Sequence, residues 1–168
     1  MRKVGKERIY SVALVTDSDC ITLYMALNTY EYMKKKDEKY VEMLRNRLSK
    51  EKIESVENGS SSLTKWIPCE WGYSEEKYSE LNEISKLLYQ KEEIDSEKYV
   101  KNIELLFEAV TRAFKRLIED GVLGENSEQI TYFISMSDDD RSIEIENYSA
   151  KLLNPENVYK EFMKRIEC

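Results

Sequence analysis

Ile9 to Thr16 reads I-Y-S-V-A-L-V-T, apolar on both alternate faces, which predicts a strand buried on two sides. Asp17-Ser18-Asp19-Cys20 supplies turn chemistry, since Asp and Ser side chains bond their own backbone. Ile21, Leu23, Met25 and Leu27 then alternate with Thr22, Tyr24 and Ala26, so a second strand closes a hairpin. Asn28-Thr29-Tyr30-Glu31 resembles a capping box and opens a helix running to about Lys50, its pattern interrupted at Lys34–Asp37. Residues 52–63, polar and ending in Gly59 and three serines, predict a loop. Lys65 to Trp71 favours a strand, confined to an edge or bulge by Pro68.

A helix starts at Ser74, with Tyr78, Leu81, Ser85 and Leu88 at helical spacing. Asp95 caps the clearest helix, in which Tyr99, Ile103, Leu106, Val110, Phe114 and Leu117 recur every three or four residues. Gly121 stands where a left-handed terminus favours glycine, with Val122 placed to pack back on the last turn. Ile130, Tyr132, Ile134 and Met136 alternate, Ser137–Arg141 turns, and Ile143 and Ile145 alternate with Glu144 and Glu146, which predicts a second hairpin with a half-exposed arm. Asn154-Pro155 starts a last helix that buries Val158, Phe162 and Ile166. The expected fold is α+β: a mostly antiparallel sheet from two hairpins plus an edge strand, packed by about four helices. At 168 residues the chain fits a single domain.

Composition narrows the chemistry. Histidine is absent, which removes His-dependent nucleophile arrangements and His-containing zinc sites. The three cysteines, Cys20, Cys69 and Cys168, are far apart and odd in number, as suits a reducing cytosol. No apolar run approaches the ~20 residues of a membrane span, so a cytoplasmic protein without membrane partners is expected. The net charge of −7 argues against nucleic acid as a partner, because duplex binding draws on Lys and Arg. That charge is uneven: residues 125–147 carry −6, residues 1–124 carry −2 and residues 148–168 carry +1.

Three groups of side chains are candidates. Asp138, Asp139, Asp140, Glu144 and Glu146, on the second hairpin, would project a negative field that steers a basic protein partner, or would protect an edge strand. Trp66, Glu70 and Tyr73, with Trp71, form either an aromatic-walled binding patch or a set of core anchors in which Glu70 holds a backbone amide or an arginine. Asp17 and Asp19 could take Mg²⁺, but a hairpin turn explains them without a metal, so no cofactor is expected.

Four stretches read together resemble a known family. They are A-L-V-T-D-S-D at Ala13–Asp19, Asn28-Thr29, W-I-P-C-E-W-G-Y at Trp66–Tyr73, and L-L-N-P-E at Leu152–Glu156. They are similar to the bacterial domain-of-unknown-function family numbered 4303, over roughly Ile9 to Phe162. The resemblance implies single-domain cytoplasmic proteins suspected as immunity partners of secreted toxins, with no catalytic residue attached. Relatives carry a helix before the first strand, so the face it would cover is expected to meet a partner or a second copy. Three functions follow as expectations: a non-catalytic immunity-type inhibitor of a basic toxin domain; a carboxylate-only, metal-assisted hydrolase in which Asp17, Asp19 and Glu70 converge; and a structural or regulatory homodimer.

Overall fold

β1 (Ile9–Thr16) and β2 (Leu23–Thr29) pair antiparallel as the first hairpin, with Ala13 opposite Ala26 and Thr16 opposite Leu23. The computed structural model describes residues 4–74, 79–89, 96–122, 124, 127–137 and 139–166. Tyr78, Asp95, Glu125 and Asp138 lie outside the described residues, as do the side chains of Tyr99 and Ile103. Among the described residues the remaining elements are α1 (Tyr30–Leu44), α2 (Lys50–Glu57), β3 (Tyr73–Ser74), α3 (Ser79–Tyr89), α4 (Ser96–Glu119), β4 (Thr131–Met136), α5 (Ser142–Leu153) and α6 (Glu156–Met163). The fold is α+β.

The sheet runs β3-β2-β1-β4, and it is mixed: β2–β3 is antiparallel like the hairpin, whereas β1–β4 is parallel. This corrects the second hairpin. Residues 143–146 belong to α5, not to a strand. Four residues of alternation fit either period, and the continuation decides: half-buried Ile145 leads to buried Ser149 and Leu153 in steps of four. α5 lies along the open edge of β4 and answers its backbone with side chains. Asn154 accepts from the Tyr132 N–H at 2.8 Å and donates to the Tyr132 carbonyl at 2.6 Å, and Ser149 Oγ accepts from the Ile134 N–H at 2.9 Å. Two polar side chains thus satisfy groups that a fifth strand would otherwise take.

Each face of the sheet is covered. On one, Val12, Leu14, Tyr132 and Ile134 meet Phe114 of α4 and, more peripherally, Leu81 of α3. On the other, Ala13, Ala26 and Phe133 meet Trp71, Ala150 and Phe162. The two alanines leave room for the indole of Trp71 and the ring of Phe162, which sit edge-on and tilted against Phe133 at 5.7 and 4.9 Å. The end of α4 follows the sequence reading: Gly121 has φ +66°, and the Val122 N–H reaches back to the Leu117 carbonyl at 3.2 Å. Val122 itself is exposed, as is Ile166 after α6.

Two further expectations change. The segment 52–63 holds most of α2, capped by Ser49 Oγ on the Lys52 N–H, with Ile53 and Val56 buried on one side. The Lys65–Trp71 strand is instead a loop with a 3-10 turn at Pro68–Glu70. Proline at the first position of that turn sacrifices no hydrogen bond, whereas in a ladder it would. Alternation therefore fails there: Pro68 and Trp71 face inward, and Ile67 and Cys69 are exposed.

Candidate functional site

The parallel β1–β4 ladder ends at Thr16 opposite Met136, and the Ser137 N–H continues it by donating to the Thr16 carbonyl at 2.9 Å. The turns that leave these two strands therefore share one end of the sheet, although 120 residues separate them in sequence. In the first, the Asp17 carbonyl accepts from the Cys20 N–H at 3.0 Å. The Asp17 carboxylate takes the Ile21 N–H at 2.9 Å and the Thr22 hydroxyl at 2.7 Å. Cys20 closes the turn at φ +56°, a region non-glycine residues seldom adopt, and burial pushes its thiol up to about 11.

In the second turn Asp139 receives three donors from Arg141, namely the N–H at 2.7 Å, Nε at 3.0 Å and Nη2 at 2.8 Å. The guanidinium, and then the backbone N–H, draw the Asp139 carboxyl down to about 2, so it is ionised at neutral pH. The charges of Asp139 and Arg141 act on Cys20, as proximity of the two turns requires. Asp19, Asp140 and Glu144 are exposed here, Glu144 on the first turn of α5. Asp17, Asp19, Asp139, Asp140 and Glu144 thus gather at the carboxyl ends of β1 and β4.

Glu146 does not join them. With residues 143–146 helical, its side chain turns towards β4, accepting from Ser135 Oγ at 2.7 Å and pairing with Arg165 at 3.2 Å. Only 12% of the Glu146 side chain and 7% of the Arg165 side chain are exposed. Burial raises the Glu146 carboxyl above its usual range and lowers the Arg165 guanidinium.

The Trp66–Tyr73 segment sits at the other end of the sheet. Fully buried Asn28 donates to the Tyr10 hydroxyl at 3.0 Å and accepts from the Gly72 N–H at 3.3 Å. Tyr10 and the Trp71 indole both donate to the Lys65 carbonyl. Trp66 is half-buried, edge-on to Phe162 at 5.0 Å and to Tyr10 at 5.9 Å. Tyr73 donates to Glu7 at 2.9 Å, the same carboxylate that takes the Thr29 hydroxyl. Glu70 pairs with Lys36 at 3.0 Å, and Lys36 and then Tyr40 hold its carboxyl below the usual range.

Asp17 and Glu70 therefore stand near opposite ends of β2, about 20 Å apart by strand geometry. They do not form one carboxylate cluster with Asp19. Among the described residues no three His, Cys, Asp or Glu are grouped so as to hold a metal ion. No helix among them is long and apolar enough to cross a membrane.

Close approach, not backbone conformation, demands glycine at position 72. A Cβ there would lie 2.5 Å from Cγ of Tyr32. Gly72→Ala is expected to cost about 2 kcal/mol, typical of overpacking. Urea unfolding measures it, and in a Tyr32→Ala background the same substitution should cost well under half as much.

Residues that sequence reading passed over also shape the molecule. Asp37, in the apparent interruption of α1, is buried and accepts from Thr64 Oγ1 at 2.8 Å and the Leu63 N–H at 3.2 Å. Its spacing from Met33 and Val41 is the signal that it faces inward. Described residues line two grooves between helices. One, of about 600 Å³, lies between α1 and α2 and is bridged by the Arg45–Glu57 pair at 3.0 Å. The other, of about 680 Å³, runs between α4 and α5.

No curated protein and no solved structure matches the chain. A family model, Domain of unknown function (DUF4303), matches residues 1–155, and the chain belongs to that family.

Proposed function

We propose that this protein is a non-catalytic binding module whose acidic corner receives a basic surface of a protein partner, as an immunity-type inhibitor in the bacterial cytoplasm receives a toxin domain. The observation that carries this reading is the convergence of the 17–22 and 137–141 turns at one end of the sheet, which gathers carboxylates from distant parts of the sequence. Carboxylates there attract Lys and Arg. Asp139 is ionised but its charge is matched by Arg141 within the same turn, so the field comes from the other carboxylates at this end of the sheet. Such a field raises the association rate with a cationic partner and is screened by salt.

Partner capture followed by stopped-flow association tests the reading. Between about 20 and 200 mM salt the association rate should fall at least tenfold. Asp19→Asn with Asp140→Asn should slow association several-fold at low salt while dissociation changes little. Association indifferent to both salt and the double substitution overturns it. Asp17 is left intact because its carboxylate holds the turn.

A further inference from the structure

The groove between α4 and α5 leaves large apolar side chains exposed. Tyr148 and Leu152, one turn apart on α5, are 67% and 45% exposed on its wall. From α4 the wall is Glu104, Phe107, Glu108, Thr111, Arg112 and Lys115, a stripe at alternating steps of three and one. Its acids come first and its bases last.

Some helix charges pair with a neighbour one turn away, as do Lys86 with Glu83, Arg116 with Asp120 and Lys160 with Glu156. Glu104, Glu108, Arg112 and Lys115 make no ion pair with any described residue, even though Glu108 and Arg112 stand one turn apart.

A stripe that begins acidic and ends basic is complementary to itself when reversed. We propose that the α4/α5 face binds a second copy of this chain about a two-fold axis near residue 110, with α4 antiparallel to its counterpart. Glu108 of each copy then meets Arg112 of the other, and Glu104 meets Lys115. Thr111, small and central, lets the helices approach, while Phe107, Tyr148 and Leu152 supply the apolar contact. This arrangement is isologous, the commonest form of closed assembly. The wall takes about 18 Å of α4 and about 18 Å of α5, each about 10 Å wide, so the projected face is roughly 360 Å² per copy. That is smaller than a standard specific interface and sets the expectation of a weak, reversible dimer. Asp17, Asp19, Asp139 and Asp140 are not part of this wall, whereas Glu144 and Arg141 line it, so the dimer face borders the acidic corner and covers its Glu144 edge.

Sedimentation of the full chain at about 5–200 µM and low salt tests the proposal. The mass should rise from 19.9 kDa towards twice that value. Arg112→Glu with Lys115→Glu makes the stripe wholly acidic, and Glu104→Lys with Glu108→Lys makes it wholly basic. Each variant alone should dimerise at least tenfold more weakly than the wild type, because like charges then face each other. An equimolar mixture should recover a heterodimer, which also shows that both variants are folded. A wild type monomeric throughout the range, charge variants that dimerise as well as the wild type, or a mixture that stays monomeric overturns the proposal. These outcomes are read from mass alone and stay distinguishable from association with a basic partner, which the Asp19→Asn with Asp140→Asn variant reports at residues outside this wall.

Discussion

Phe162→Ala is expected to lower the unfolding free energy by about 4 kcal/mol, near the upper end for loss of a core aromatic. The side chain is fully buried, in the last turn of α6. It touches Phe133 at 4.9 Å and the edge of Trp66 at 5.0 Å, and the Arg165 guanidinium stacks on it at 3.6 Å. Its neighbours cannot collapse into the space left. Ala13 and Ala26 beneath have no reach, Ala150 belongs to a helix pinned by Ser149 and Asn154, and Trp71 is tied to the Lys65 carbonyl. A cavity therefore remains and adds to the lost transfer free energy. Urea unfolding followed by circular dichroism measures the loss, with an unchanged slope showing that the denatured state is unaltered. Val158→Ala on the same helix, half-buried, should cost about 1 kcal/mol. Equal costs at the two positions would mean that α6 does not dock through Phe162.

Phe162 was legible in the sequence because its helix repeats every four residues and starts at an unmistakable Asn-Pro. The same holds for β1, whose two apolar faces are both used, and for the glycine that ends α4. Elements went astray where a short pattern fitted two periods. Ile143 to Glu146 alternates for only four residues, and what makes it helical is contact with β4 through Ser149 and Asn154, a tertiary fact. α2 was hidden because its buried residues are two, Ile53 and Val56, between charges. The acidic corner was half legible: each turn showed its carboxylates, but their convergence depends on parallel pairing of β1 with β4, which no local pattern encodes. Glu146, counted with the corner acids in sequence, is removed from them by the same change from strand to helix. The self-complementary stripe on α4 was present as alternating charge, yet only the position of α5 shows which side of the helix lacks a neighbour.

Arg165→Met is expected to cost about 3 kcal/mol at pH 7, as breaking one partner of a buried ion pair does. The substitution keeps most of the volume but removes the pairing of Nη2 with Glu146, its 2.6 Å bond to Asn147 and the Nη1 bond to the Phe162 carbonyl. Glu146 is then left ionised and buried, with only the Ser135 hydroxyl to solvate it among the described residues. In the native protein burial already outweighs the pairing, since Glu146 is raised and Arg165 lowered despite their contact. Losing the charge altogether should therefore repair much of the damage. Glu146→Gln in the Arg165→Met background keeps an acceptor for Ser135 and should bring stability back to within about 1 kcal/mol of the wild type, a coupling that a double-mutant cycle reads directly. Acid should act in the same direction. Because the folded Glu146 carboxyl titrates above its ordinary value of 4.5, the native state holds a proton that the unfolded chain has already released. Stability from this group consequently falls as pH rises through that interval and is regained as pH is lowered. Without the guanidinium the interval extends further upward, so the deficit of Arg165→Met relative to wild type should shrink between pH 7 and pH 5. Arg165 stays charged across that range and adds no titration of its own. A deficit that holds constant or grows at pH 5 would show that the loss comes from packing on Phe162 rather than from a stranded carboxylate.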